Sequence, residues 1–339
     1  MKAYQIQSYS SLDGLTLADL PEPSAPGPGQ IVVRVRAVSL NYRDLMILTG
    51  HYGGSNPPPG LIPLSDGAGE VTAIGDGVSR VQVGNRVAGI FFQKWLSGEV
   101  EAAYHKSALG GAVNGMFAEY VTLSAEGVVP LPDYLSYEEG ASLPCAAVTA
   151  WNGLVEQGHL IAGETVLLLG TGGVSMFALQ IAKMHGAKTI ITSSSDDKLA
   201  RAKSLGADET VNYKTYPDWE KTVWEMTQKR GVDHVVEVGG PGTLEKSLAA
   251  AKHGGKIAQI GVLSDPAAKI SPMPILGKSL KLNGIYVGSR SMFEKMLTAF
   301  TVNQTRPVIG RVFPFAEAKA AYAYLQSGAH FGKVVITIS

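Results

Sequence analysis

A chain of 339 residues with 29 basic and 29 acidic side chains carries no net charge, which gives no footing for nucleic acid or an acidic membrane surface. Its one cysteine, Cys145, excludes a disulfide framework within the chain and any zinc site built from several thiolates, and suits a reducing cytoplasm. No stretch has the apolar length of a membrane span, MKAYQIQSYS does not read as a signal peptide, and the 40 glycines show no period, so a soluble cytoplasmic protein of two domains is expected.

Residues 1–127 read as short strands separated by Gly/Pro turns: MKAYQI, the loop PEPSAPGPGQ, then IVVRVRAVSL, GEVTAIGDGV, VGNRVAGIFF and GMFAEYVTL. From about Leu131 helices alternate with apolar strands. SYEEGASLPCAAVTAWNGLVEQ is helical, with Pro144 marking a break. Next comes a strand ending in LLL, the turn GTGGVS and a helix from Val174. The remaining strands are KTIITSS, ETVNYK, VDHVVEVGG, KIAQIGV and LKLNGIYVG, with DDKLARAKSLG, DWEKTVWEMTQKRG and TLEKSLAAAKHGG as the helices between them. This alternation predicts a doubly wound, six-stranded parallel sheet covered on both faces. The tail adds two helices and the strand GKVVITIS, expected to pack back on the first domain because the six-stranded unit is complete without it.

GTGGVS, residues 170–175, predicts a dinucleotide site. Gly170, Gly172 and Gly173 allow a tight turn and let a pyrophosphate approach the backbone through Val174, where the following helix presents its positive end. The nucleotide-binding pattern has a third glycine where this chain has Ser175, a side chain small enough for close helix–strand packing.

LNYRDLMILTGHY, LSDGAGEV, VGNRVAG, GMFAEYV, LPCAAVTAW, GTGGVS, GADETVNYK, VDHVVEVGG, GIYVGSRSMFE and HFGKVVI follow one another as in a known family. The chain resembles the medium-chain dehydrogenase/reductase superfamily, in its zinc-free quinone-oxidoreductase-like branch, close to proteins called zinc-type alcohol dehydrogenase-like. The resemblance implies a GroES-like β-rich catalytic domain (1–127 and 289–339) split around a Rossmann dinucleotide-binding domain (128–288), with the active site in the cleft between them.

NAD-specific sites usually carry an acidic residue about 20 positions past the first glycine, whereas this chain has Ser193, Ser194 and Ser195. Serines accept a 2′-phosphate without repelling it, Lys198 supplies a cation one turn on, and Tyr213 flanks the same place. A Lys and a Tyr at matching positions hold the 2′-phosphate in related quinone reductases, so NADP(H) is the expected cofactor. Asp196 and Asp197 offer the competing ribose contact, but read more simply as an acidic first turn after a capping serine. The resemblance also assigns Thr149 to the nicotinamide carboxamide, Gly239, Gly261 and Val262 to the nicotinamide ribose, and Phe331 and Lys333 to the cofactor from the tail, Lys333 toward the pyrophosphate.

Catalytic zinc in this superfamily needs Cys, His and Cys or Asp ligands, and structural zinc needs four cysteines. Asn41 stands where the first cysteine would be and Leu64, Ser65 and Asp66 where the histidine motif would be, leaving Cys145 as a small buried residue and no metal site. The segment 91–115, where a structural zinc lobe would lie, is expected to shape a substrate pocket or a subunit contact. Without a Lewis acid, conjugated acceptors suit the chemistry better than simple ketones, because the charge left by hydride spreads into an enolate or hydroquinone anion. Asn41 is expected to donate to the acceptor oxygen or hold the nicotinamide, and Tyr52 to donate a hydrogen bond or proton. Tyr42 and His51 are weaker candidates; Asp44 is expected to order the Asn41 helix and Arg43 to be a solvated surface charge.

These readings lead to an NADPH-dependent, metal-independent reductase of a quinone or α,β-unsaturated carbonyl, with a homodimer implied through the LKLNGIYV edge. One alternative is an alcohol dehydrogenase or carbonyl reductase, which the short GTGGVS turn favours. The other is an NADPH-binding structural or regulatory protein with little turnover.

Overall fold

The computed structural model describes residues 1–52, 56–263 and 270–339. By contacts the chain divides into two units, Met1–Val148 with Gly288–Ser339, and Thr149–Val287.

The first unit is built on strands β1 (Lys2–Ile6), β2 (Leu15–Asp19), β3 (Gln30–Leu40), β4 (Asp66–Ile74), β5 (Arg86–Gly89), β6 (Tyr120–Ser124) and β7 (Val128–Pro130), with helices α1 (Tyr42–Leu48) and α2 (Tyr137–Ala141). After α2, Pro144 brings in two π-helical turns, 143–147 and 152–156, around the short α3 (Val148–Trp151). The expected helical stretch is thus broken where proline removes a backbone donor. β7 pairs with β5 and so belongs to the first unit's sheet.

The second unit runs β8 (Thr165–Leu169), α4 (Gly173–Met184), β9 (Lys188–Ser193), α5 (Asp196–Ser204), β10 (Glu209–Asn212), α6 (Trp219–Met226), β11 (Val232–Glu237), α7 (Pro241–Ala250), β12 (Ala251–Gln259), α8 (Met273–Gly277) and β13 (Lys281–Gly284). Its six strands are all parallel in the order β10-β9-β8-β11-β12-β13. β8 and β11 are buried along their whole length, as apolar runs covered on both faces must be. The order reverses between β8 and β11, and at such a switch point the loops at the strand C-termini diverge and leave room for a ligand. Two elements differ from the sequence reading. β12 starts at Ala251, because Ala251 already pairs with Val232 ahead of a bulge, and so takes AKHGG from the expected helix. β13 stops at Gly284, short of the full LKLNGIYVG. At the N-terminal end of the sheet the buried Asp233 accepts from Thr165 N–H and from both Arg230 and Lys252. Burial works against its charge, but these partners prevail and hold the carboxyl at about 2.

The tail, α9 (Arg290–Val302), β14 (Ile309–Pro314), α10 (Ala318–Gln326) and β15 (Lys333–Thr337), returns to the first unit. The larger sheet there runs β14-β15-β3-β4-β5-β7, with β6 also paired to β3. β3 lies antiparallel to both β15 and β4, with Val334 opposite Leu40 and Asp66 opposite Ser39. The C-terminal end of β3 is therefore flanked by the N-terminal ends of its two neighbours. This brings together residues nearly 300 positions apart.

Candidate functional site

In the second unit the turn between β8 and α4 has the form that GTGGVS predicts. Gly170 takes φ +72°, where a side chain would be strained. Gly172 is the N-cap of α4 and no side chain caps it, so the first N–H groups of Gly173, Val174 and Ser175 keep their donor capacity for a ligand. Ser175, in place of the third glycine, is buried and donates its hydroxyl to Leu169 O at 2.6 Å. The departure from the pattern is thus absorbed by a hydrogen bond back to the strand.

The next strand end is arranged differently. Ser195 caps α5, accepting from Lys198 N–H, with Asp196 and Asp197 in the first turn. Asp196 Oδ1 accepts from Asn212 Nδ2 at 2.7 Å. β9 and β10 are in register at Ser193 and Asn212, and Tyr213 N–H donates to Ser193 O at 3.0 Å. The three serines, Lys198 and the 42% exposed Tyr213 therefore share one strand end. Partial burial lowers the Lys198 pKa. These residues and the open turn fit a dinucleotide. Thr149 is buried, Gly239 and Gly261 stand at the ends of β11 and β12, and Val262 is 58% exposed.

The first unit holds a buried polar cluster at the end of β3. Lys333, 3% exposed, donates from Nζ to Leu40 O at 2.8 Å and to Asn41 Oδ1 at 2.6 Å, and stands 3.7 Å from Asp66 Oδ2. Asp66 is fully buried and also accepts from Ser65 Oγ at 2.8 Å and Cys145 N–H at 3.2 Å. Burial pushes its carboxyl up, against the pull of Lys333. The Lys333 ammonium thus contacts Leu40, Asn41 and Asp66 in the interior of the first unit. Phe331, two residues before it, is buried as well. Asn41 is the N-cap of α1, and Asp44 orders that helix by accepting from Asn41 N–H at 2.7 Å. The Asn41 Nδ2 is buried, and a hydrogen bond from the Asn41 amide works with Lys333 against the rise of the Asp66 carboxyl.

Arg43 corrects the sequence reading: it is 8% exposed and not a solvated charge. Its guanidinium lies over the rings of Phe91 at 4.5 Å and Tyr52 at 5.1 Å, and Nη1 donates to Leu109 O and faces Asp44. The stem and the plane of the guanidinium are covered by aromatic faces, an environment that arginine tolerates because its charge is delocalised. Segment 91–115 provides both Phe91 and Leu109, so it folds back on α1; Trp95 and Tyr104 stack within it.

Asp44 gives a pH signature. Burial pushes its carboxyl up to about 6 from 3.8, against the attraction of Arg43. A carboxyl whose pKa is higher folded than unfolded favours folding while protonated, and that contribution is lost as pH rises from about 4 through about 6. Measured against Asp44→Asn, the wild-type chain is expected to lose about 2 kcal/mol of stability between pH 4 and pH 7. Urea midpoints at the two pH values report it; parallel shifts in both proteins would refute it.

The residues at the zinc-ligand positions do not fit zinc. An ammonium already stands among them, Asn41 offers a neutral amide, and burial followed by the Asp66 charge raises the Cys145 thiol pKa, which opposes the thiolate. Among the described residues, no three His, Cys, Asp or Glu side chains gather as metal ligands.

With this geometry in hand, the relatives define the class. The model for the alcohol dehydrogenase GroES-like domain matches residues 27–133, and that for zinc-binding dehydrogenases matches 173–301. A zinc-type alcohol dehydrogenase-like protein of Schizosaccharomyces pombe is 43% identical over 97% of this chain and 96% of its own length. A quinone oxidoreductase of Pseudomonas aeruginosa is 30% identical over 99% of both chains. The crystal structure of an NAD-dependent alcohol dehydrogenase superposes with a TM-score of 0.91 at 34% identity, covering 100% of both chains. The chain belongs to the medium-chain dehydrogenase/reductase superfamily and is an oxidoreductase with a GroES-like domain and a Rossmann-like parallel sheet. Among the described residues no helix is long and apolar enough to cross a membrane.

Sequence reasoning singled out Asn41, Lys198 and the glycine turn. It gave Asp66 and Arg43 no functional weight and passed over Glu237. For Glu237 a signal was present, an acidic residue two positions ahead of a Gly-Gly-Pro helix start.

Proposed function

We propose that this protein is an NADPH-dependent reductase that passes hydride to a quinone or an α,β-unsaturated carbonyl without a metal. The observation that carries the reading is the Lys333 ammonium lodged against Asn41 and Asp66, among the positions where zinc ligands would stand. NADPH, when bound, supplies the hydride from its nicotinamide C4. The uncapped N-terminus of α4 suits its pyrophosphate, and Ser194, Ser195, Lys198 and Tyr213 suit its 2′-phosphate. Thr149 and Val262 are the proposed contacts of the nicotinamide. Asn41 is the proposed donor to the acceptor oxygen: its Nδ2 is buried at the start of α1, and its Oδ1 is held by the Lys333 ammonium. Tyr52, over the Arg43 guanidinium, is the proposed source of the proton that neutralises the enolate or hydroquinone anion. A cytoplasmic homodimer completes the proposal: β13 is an edge strand with Leu282 and the nearby Tyr286 partly exposed, which a second copy would cover.

A second reading, NAD-dependent oxidation of ordinary alcohols, draws support from the NAD-dependent alcohol dehydrogenase among the relatives. Purification in a metal chelator followed by assays of NADPH and NADH consumption separates the two. The proposal expects turnover of NADPH with quinones or enones, unchanged by the chelator. Turnover of simple carbonyls alone, and only after zinc is restored, would overturn it.

A further inference from the structure

The end of β11 carries a buried carboxylate that the chemistry above does not use. Glu237 is fully buried, and its Oε1 accepts from Gly239 N–H at 2.7 Å, Gly240 N–H at 2.9 Å and Thr243 Oγ1 at 2.7 Å, while Oε2 accepts from Ser247 Oγ. Gly240 is the N-cap of α7, so this carboxylate places a negative charge at the start of that helix, against the Gly240 N–H and the Thr243 hydroxyl. The N-terminus of α4, across the switch point, has no such side chain. The same residue reaches the next loop through its backbone, where Glu237 O accepts from Ile260 N–H at 2.8 Å and Gly261 N–H at 3.2 Å.

The two loops also close on each other. Gly240 holds φ +86°, and a Cβ there would meet Val262 Cα at 2.8 Å, while a Cβ on Gly261 would meet Val238 O at 1.9 Å. Whatever fixes residues 238–240 therefore fixes 261–262. The carboxylate holds the first loop and the carbonyl of the same residue holds the second.

We infer that Glu237 is a positioning residue for the nicotinamide end of the dinucleotide: an internal anion that closes α7 to phosphate and holds Gly239, Gly261 and Val262 in one arrangement. The pyrophosphate is thereby left the open N-terminus of α4. This rests on the dinucleotide reading above, and it adds that the two ends of the ligand depend on different residues of this sheet.

The test compares two probes on Glu237→Ala and Glu237→Gln: NADPH, which spans the sheet ends, and 2′,5′-ADP, which has only the adenine half. Glu237→Ala leaves four donors without their acceptor and is expected to weaken NADPH by about tenfold or more while 2′,5′-ADP stays within about twofold of wild type. Glu237→Gln keeps one oxygen for the Gly239, Gly240 and Thr243 donors and turns its amide to the Ser247 hydroxyl, so it is expected to restore most of the NADPH affinity. Equal weakening of both probes, or unchanged NADPH binding in Glu237→Ala, overturns the inference. Should Glu237→Ala fail to fold, Thr243→Val removes one of the four donors and must shift NADPH in the same direction with 2′,5′-ADP unmoved; no difference between the probes overturns it. If wild type does not bind 2′,5′-ADP at all, the NADPH reading has failed. The comparison then proceeds with NADH and ADP and still decides the role of Glu237.

Discussion

Lys333→Met lowers the stability of the chain by about 3–5 kcal/mol, because it leaves the fully buried Asp66 carboxylate without its cation. Methionine matches the length of the lysine stem, so little of the loss comes from packing. Leu40 O and Asn41 Oδ1 lose their donor in the same step. The double variant Lys333→Met, Asp66→Asn removes both charges together and recovers at least half of the loss, since a paired deletion spares the cost of an isolated buried ion. Urea unfolding of the wild type, Lys333→Met, Asp66→Asn and the double variant measures this. Additive losses in the double variant would mean that the two side chains are not coupled and that the 3.7 Å separation carries little energy.

The second large effect falls on the cofactor. Lys198→Ala is expected to raise the KM for NADPH about ten- to a hundredfold and leave that for NADH nearly unchanged, the range that follows from a hydrogen bond to a charged group. Ser195 and the first turn of α5 remain, so the helix keeps its cap and the change reports the ammonium. Steady-state kinetics with both cofactors is the measurement. Equal loss for both would reassign Lys198 to the architecture of the strand end, and a rise for NADH alone would favour a ribose contact through the acidic first turn.

Much of the second unit was legible because its signals are local. A buried strand of TVLLL, a glycine turn and a helix occupy one continuous stretch, and the caps of α5 and α2 are set by residues within three positions of each other. Strand ends were harder. β12 captured AKHGG because the ladder with β11 begins at Ala251, and local helix propensity does not register a partner strand. The same holds for β7, whose three residues are a strand only because β5 lies beside them.

The polar cluster of the first unit shows the limit most clearly. Asn41, Asp66 and Lys333 each read as isolated residues, two of them at positions where the superfamily's zinc ligands would stand. They meet because β3 has antiparallel neighbours on both sides, with Val334 opposite Leu40 and Asp66 opposite Ser39. Register between distant strands is a property of pairing, and a one-residue slip would turn Lys333 to the other face. Arg43 was misjudged for a related reason: a charge beside Asp44 on a short helix looks solvated until Phe91 and Leu109, from a segment about 50 residues on, are known to cover it. Composition, alternating strands and helices and the GTGGVS turn were enough to predict a doubly wound parallel sheet with a dinucleotide site, and the ordered motifs that resemble a known family added the oxidoreductase. Pairing and burial over long separations then settled which charges lie inside, because desolvation makes a buried ion depend on partners that sequence spacing does not reveal.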